Sequence, residues 1–228
     1  MSAVTTQVLC VSGMDFESRI AAGPSVETLY GHRDAALARV LDERLARGYA
    51  GVISFGVAGG LDPTLPPGTV IVATGVRCGR MSYNTTSYWT AALRRALPQA
   101  ISGLLAGSDT AVTSVADKSA LHALHGALAV DMESHIVAHA AHQHGIPFAA
   151  LRVVIDPADR PVPPLAVAGM AADGSTDVGA IVIGLLKAPH QIGGLLRLGR
   201  DASAAKKALT AARRAVGNGF ALPALAAA

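Results

Sequence analysis

Charge is scarce in this sequence. Asp, Glu, Lys and Arg make up 15% of its 228 residues, against about 25% in an average soluble protein. Cysteine is almost absent: Cys10 and Cys78 are too few for a disulfide framework, and neither stands in a metal-ligand cluster. Hydrophobic residues reach 51% and mean hydropathy is +0.40. Even so, no uninterrupted apolar run attains the roughly 20 residues of a membrane-spanning helix. The nearest, "VGAIVIGLLKAPHQIGGLLRLG", is broken by Lys187, Pro189, His190 and Arg197. No basic segment precedes the first apolar run, so no secretory signal is expected, and the predicted location is the cytoplasm.

The few charges are unevenly placed. From residue 181 onward there are seven Lys/Arg and one acid, a net +6, which leaves −3 for the first 180 residues. A basic, apolar-rich tail suits either amphipathic helices packed on the domain or peripheral contact with an anionic membrane. With one aromatic residue in that tail, Phe220, and no nucleic-acid module in the chain, a nucleic-acid partner is not expected. The length suits one domain, 1–228, with an apolar and basic helical segment from about 162 onward.

Apolar runs alternate with helical periodicity along the chain. "TQVLCVSGM", "AGVISFGVAGGLDP", "GTVIVATGV", "ALAV" and "PFAALRVVID" read as buried strands, and "ISGLLAGSDTAV" as a strand pair. "RDAALARVLDERLARG", a segment from Tyr88 to Leu97, "DKSALHALHG" and "ESHIVAHAAHQHG" read as helices. This alternation predicts an α/β fold, a three-layer α-β-α sandwich around a mixed, largely parallel sheet. Ligands in such sheets gather at the carboxyl ends of strands. Polar residues interrupt apolar runs at four such corners: Gly13–Glu17, Gly56–Asp62, Asp131–Glu133 and Asp156–Asp159.

Each corner suggests chemistry. "GVAGGLDP" is neither a Walker A loop nor a GxGxxG fingerprint, but its glycines let consecutive N–H groups form a concave anion site. Asp156, at the mouth of an apolar strand, suits a proton donor, because desolvation favours the protonated acid. Arg152, four residues back, lies on the same face of an ideal strand and suggests an Arg–Asp pair. In "AVDMES" Asp131 can cap the following helix. Glu133 is less easily explained that way, and a carboxylate there can hold two neighbouring sugar hydroxyls, with Met132 packing on the ring. His135, His139 and His142 fall at helical spacing with His144 beyond. With no carboxylate or cysteine on that stripe, they read as a solvated polar face and not as a metal site.

Together, "GMDFE", "GVAGGLDPTLPPGTVIVAT" and "AVDMES" followed by "PF", Arg152 and "DPAD" resemble the purine nucleoside phosphorylase and methylthioadenosine/S-adenosylhomocysteine nucleosidase superfamily over roughly the first 160 residues. "FESRIAAGP" and the stretch from "PPLAVAGMAADG" to "LLKAPHQIGGLLRLGRDASAA" look like the hopanoid-associated phosphorylases. That resemblance implies phosphorolysis of adenosylhopane, releasing adenine. It implies Met132 and Glu133 as ribose ligands, Asp156 as donor to purine N7, and Ala58, Gly59 and Gly60 beside the nucleophile. The backbone of Ser114, Val115 and Ala116 would meet the purine.

Glu17 and Arg152 match the glutamate and arginine with which the nucleosidases hold their water, whereas Val57 and Ile155 depart from the hydroxyl residues of that network. Arg19 and Arg80 are the expected phosphate ligands. No metal or organic cofactor is implied, inorganic phosphate being a co-substrate, and a homo-oligomer is. A hydrolytic nucleosidase and a non-catalytic nucleoside- or membrane-binding protein are the competing readings.

Overall fold

The computed structural model describes residues 7–164 and 192–223. Its elements run β1 (Val8–Val11), α1 (Asp15–Ala21), β2 (Val26–Leu29), α2 (Asp34–Leu45), β3 (Gly51–Gly60), β4 (Val70–Cys78), β5 (Met81–Asn84), α3 (Ser87–Ala96), β6 (Ile101–Gly107), α4 (Val115–His125), β7 (Ala127–Asp131), α5 (Ser134–His144), β8 (Phe148–Asp156) and α6 (Ile192–Ala215), closed by a 3-10 turn at Asn218–Ala221.

Alternation along the strands sends residues to two separate cores. Leu9, Val11 and Val52 face α2 and α5, meeting Leu37, Leu41, Val137 and Ala141. Val8, Cys10, Ile53 and Phe55 face the other way, against Trp89 and Leu93 of α3 and Ala205, Leu209 and Ala212 of α6. The sheet is thus covered on both sides, as the near-continuous apolar strands require. Trp89 is fully buried, and its indole N–H donates to the Phe220 carbonyl at 2.8 Å, which ties the end of the described chain into this second core.

Eight strands make one mixed sheet. Five pairings are parallel (β1–β2, β1–β3, β3–β8, β4–β6 and β6–β7) and three antiparallel (β3–β7, β4–β5 and β4–β8). β3 runs beside β8 for most of its length, then reaches β7 through Gly59 and Gly60. Because β8 pairs with β4, β4 with β6 and β6 with β7, these five strands close into a ring. The register of β3 against β8 shifts between Ala58 and Gly59: Ala58 pairs with Val154 but Gly59 with Asp156, so β8 carries one extra residue at Ile155.

The structure departs from the sequence reading at several elements. The segment 101–112, expected to be a strand pair, holds one strand, β6 (Ile101–Gly107), followed by an irregular stretch from Ser108 to Thr113, because the polar Ser108–Asp109–Thr110 segment bends away instead of pairing. Short α1, β2 and β5 had no sequence counterpart. The histidine stripe is not uniformly solvated: His139 and His142 are exposed, but His135 is buried, its Nε2 3.0 Å from Asp109 Oδ1. Among the described residues no group of three or more His, Cys, Asp or Glu is placed to hold a metal ion, and no helix is long and apolar enough to cross a membrane.

Candidate active site

All four strand-end corners open into one cavity of about 760 Å3, towards the upper end of the range for small-molecule sites. Gly13, Met14 and Glu17 line it from the first corner, Val57, Ala58 and Gly59 from the second, Asp131, Met132 and Glu133 from the third, and Ile155 and Asp156 from the fourth. Glu133 and Asp156 therefore face the same space. Leu195, Leu198 and Ala202 of α6 add an apolar wall.

One end of the cavity is built on a buried guanidinium. Arg152 is inaccessible to solvent; its Nε lies 2.9 Å from Asp131 Oδ2 and its Nη2 3.3 Å from Glu133 Oε2. Nη2 also donates to Ser54 Oγ at 2.6 Å. Asp131 answers the helix-capping expectation at the same time. Its Oδ1 accepts from the Glu133 and Ser134 N–H groups at 3.0 and 2.6 Å, and Oδ2 from the Ser134 hydroxyl at 2.6 Å. Asp131 is thus the structural acid of the pair, and Glu133, the next side chain but one, is the acid presented to the cavity.

Glu17 completes this end. Its Oε1 accepts from the Val57 N–H at 2.7 Å and its Oε2 from the Met14 N–H at 2.9 Å. The approach of these groups favours glycine at two positions, one just past the end of β1 and one within β3. A Cβ on Gly13 would stand 2.6 Å from Glu133 Oε1, and one on Gly56 would stand 2.7 Å from Arg152 Nη1.

Three carboxylates around one guanidinium leave excess negative charge out of water. Burial pushes the Glu17 carboxyl up, against the opposing pull of Arg152 and of its backbone donors. Glu133 is pushed up to about 7, by burial first and then by the Asp131 and Glu17 carboxylates, with Arg152 and Arg33 opposing. Burial pulls Arg152 down, but its carboxylate neighbours outweigh that and hold it above its ordinary value. The cluster therefore holds a proton close to neutrality, in a position where proton transfer can be useful.

The other end belongs to Asp156, where the expected Arg152–Asp156 pair does not form. The extra residue at Ile155 breaks the strand alternation and re-aims the carboxylate. Asp156 instead meets Lys118 of α4, whose fully buried ammonium is ion-paired with Asp156 Oδ2 and donates to the carbonyls of Pro157 and Arg160 at 2.8 and 3.0 Å. Burial raises the Asp156 carboxyl and Lys118 opposes it. Lys118 carried no signal in the sequence beyond being a cation in the first turn of a helix, where the macrodipole disfavours one.

Some expected ligands lie elsewhere. Arg19 is on the outer side of α1, its side chain 79% exposed and paired with Asp15 at 2.8 Å. Arg80 is exposed in the β4–β5 turn. Neither lines the cavity; among the described residues its cationic lining is Arg33 and Lys206. Ser114 is spent on capping α4, accepting from the Asp117 N–H at 3.0 Å, and neither it nor Val115 nor Ala116 lines the cavity. The preceding residues Thr110–Thr113 do. Gly60 packs against the Asp156–Ala158 backbone behind the lining residues. Most of the apolar run from Val162 to Leu198 falls outside the described residues, though Val162, Leu195 and Leu198 line the cavity.

Comparison with known proteins agrees with the fold. A family model described as the phosphorylase superfamily matches residues 4–187. No curated protein sequence matches the chain. Among solved structures, it is similar to the 5′-methylthioadenosine/S-adenosylhomocysteine nucleosidase of Helicobacter pylori bound to butyl-thio-DADMe-Immucillin-A, with a TM-score of 0.65, 17% identity, and coverage of 91% of this chain and 97% of that one. The corresponding nucleosidase of Neisseria meningitidis, bound to methylthio-immucillin-A, gives 0.64 at 18% identity with the same coverage. Futalosine hydrolase of Helicobacter pylori gives 0.60 at 18% identity, covering 67% of this chain and 88% of that one. At these identities the likeness is one of fold.

Proposed function

The chain belongs to the phosphorylase superfamily, and from that premise we propose that it cleaves the N-glycosidic bond of an adenosyl lipid, adenosylhopane, with inorganic phosphate, releasing adenine and leaving a phosphoribosyl lipid. The observation that carries this reading is that Glu133 and Asp156 face one cavity whose further wall is the apolar face of α6. Glu133 accepts hydrogen bonds from the ribose 2′- and 3′-hydroxyls, and Met132 packs on the sugar. Asp156 delivers a proton to purine N7. As the glycosidic bond lengthens, its electrons move into the ring, so the proton arrives where charge develops in the transition state.

Phosphate attacks the anomeric carbon from the Glu17 end. Arg33 and Lys206 line the cavity and supply cations, and Val57, Ala58 and Gly59 line it too. The 5′ substituent extends along Leu195, Leu198 and Ala202, where burial is worth about 25 cal/mol per Å2 of apolar surface. The relatives' nucleoside analogues and this wall together suggest an adenosine with an apolar 5′ group. The basic residues of α6 beside exposed Leu196 suit peripheral contact with an anionic membrane, and we take the protein to be a cytoplasmic homo-oligomer.

A second reading is hydrolysis, favoured by Glu17. Two backbone N–H groups fix its carboxylate, and burial strengthens it as a base towards water. In that case the proton of the attacking water passes to Glu17. One assay separates the readings: adenine release from adenosylhopane and from methylthioadenosine, each with and without phosphate. Phosphate-dependent release from adenosylhopane is expected. Undiminished turnover without phosphate refutes phosphorolysis, and no release from either nucleoside refutes the enzyme.

A further inference from the structure

The residue that stands out after this reading is Lys118, which breaks three ordinary rules. It is a charged side chain with no solvent exposure. It is a cation in the first turn of α4, at the positive end of the helix dipole. Its long aliphatic stem is fixed in one conformation, at the cost of most of its rotamer freedom. A buried ammonium persists only when its donors are satisfied, and here three partners are in place: Asp156 Oδ2 and the carbonyls of Pro157 and Arg160. A helix-packing role needs none of this, since a leucine or methionine would fill the same volume without the desolvation cost.

The three partners share one property: all belong to the end of β8 and the turn that follows it. α4 is entered from Thr110–Thr113, which lines the cavity and whose Thr113 carbonyl accepts from the Val162 N–H at 2.9 Å, just beyond that turn. Lys118 therefore joins the two segments between which a leaving base would sit. It also engages one named oxygen of Asp156, Oδ2, which leaves Oδ1 for the substrate.

We propose that Lys118 is the positioning residue of the leaving-group acid, its buried ammonium holding Asp156 by Oδ2 so that Oδ1 presents the proton to N7 of the departing purine. The inference rests on the reading of Asp156 as the proton donor. In the step itself the O–H bond at Oδ1 breaks, an N7–H bond forms, and the glycosidic electron pair goes to the purine. Asp156 is left as a carboxylate, and the Lys118 charge is already beside it to receive that negative charge. Lys118 touches neither substrate nor reacting atoms; it acts through Asp156.

Lys118→Met and Lys118→Arg test this in the full-length protein, together with Lys118→Met/Asp156→Asn, which removes both members of the buried pair and guards against a fold that cannot hold one alone. In Lys118→Met, kcat for adenine release is expected to fall on the order of 10²-fold, the loss that a misplaced reacting group brings, with KM little changed. The alkaline limb of the kcat/KM profile should move to higher pH, because an acid deprived of its cationic neighbour keeps its proton longer. Lys118→Arg should restore much of the rate.

A second readout does not depend on turnover: the Asp156 carboxyl resonance, assigned by its loss in Asp156→Asn, should titrate at higher pH in Lys118→Met than in the wild type. An unchanged titration of that carboxyl overturns the inference whether or not the wild type is active. So does a Lys118→Met enzyme with wild-type kcat and pH profile. A wild type that releases no adenine defeats the proposed reaction instead, while the resonance still reports on Lys118.

Discussion

Replacing Glu133 by glutamine should make the protein more stable and the site useless, and the gain should appear only above a definite pH. In the unfolded chain a glutamate titrates near 4.5, whereas in the folded site burial and the neighbouring Asp131 and Glu17 push Glu133 up to about 7. Between those values the folded protein holds a proton that the unfolded chain has released. Stability linked to this group is therefore fully present below pH 4.5 and is lost as pH rises through 7. At about 1.4 kcal/mol per pH unit, the loss is on the order of 3 kcal/mol.

Glutamine is neutral at every pH and close in shape to the protonated acid, so it escapes that loss. Wild type and Glu133→Gln should match in urea or thermal unfolding at pH 4.5 to 5. They should diverge steadily, and the variant should be the more stable by up to about 3 kcal/mol at pH 8. A stability difference that does not change with pH refutes the reasoning, because it would mean that Glu133 folds already ionised and that Arg152 neutralises it fully. On the proposed function, the same substitution turns one of the two carboxylate oxygens that accept from the sugar hydroxyls into an NH2 donor and removes the charge, so nucleoside affinity should fall as stability rises. Strain of this kind, kept where function needs it, is what a binding site leaves in a fold.

Other substitutions probe the remaining parts. Asp156→Asn should lower kcat for adenine release by about 10²–10⁴-fold while binding of a nucleoside analogue, followed by calorimetry, is retained. Arg152→Met leaves Asp131, Glu133 and Glu17 without their common cation and should destabilise the protein by about 3–5 kcal/mol in chemical unfolding at neutral pH. Arg33→Met should raise the KM for phosphate and leave that for the nucleoside largely intact. Leu198→Asn should reduce kcat/KM for adenosylhopane roughly 10-fold or more, the worth of one buried leucine, with little effect on methylthioadenosine.

Much of the layered fold was legible because strand and helix periodicities are local. Leu9 and Val11 against Val8 and Cys10 already imply two covered faces, and the glycine-rich end of β3 marks a strand reaching a site. The elements missed are four to seven residues long, too short for a period to show: α1, β2 and β5. The site was legible where residues adjoin in sequence, as in Asp131–Met132–Glu133. It was not legible where one residue reaches across the fold. Lys118 lies 38 positions from Asp156 and meets it only because α4, packed beside β6 and β7, aims this side chain at the end of β8 and the turn after it. Arg33 reaches the cavity from the start of α2, whereas Arg19, nearer to Glu17 in the chain, points outward because helix geometry turns it to the Asp15 side. The Arg152–Asp156 expectation failed for a third reason: a single inserted residue changes which side of a strand the next one faces, and composition does not reveal it.

That inserted residue has a further consequence. Arg152, which anchors Asp131 and Glu133, and Asp156, the proposed proton donor, sit four residues apart on one strand, about 13 Å of extended chain. The distance between the two halves of the chemistry is thereby written into covalent bonds, not left to two lobes closing on each other. Adding or deleting one residue between them would swap the faces without unravelling the sheet. The strand works as a ruler whose graduation at Ile155 sets the spacing between the two ends of the cavity.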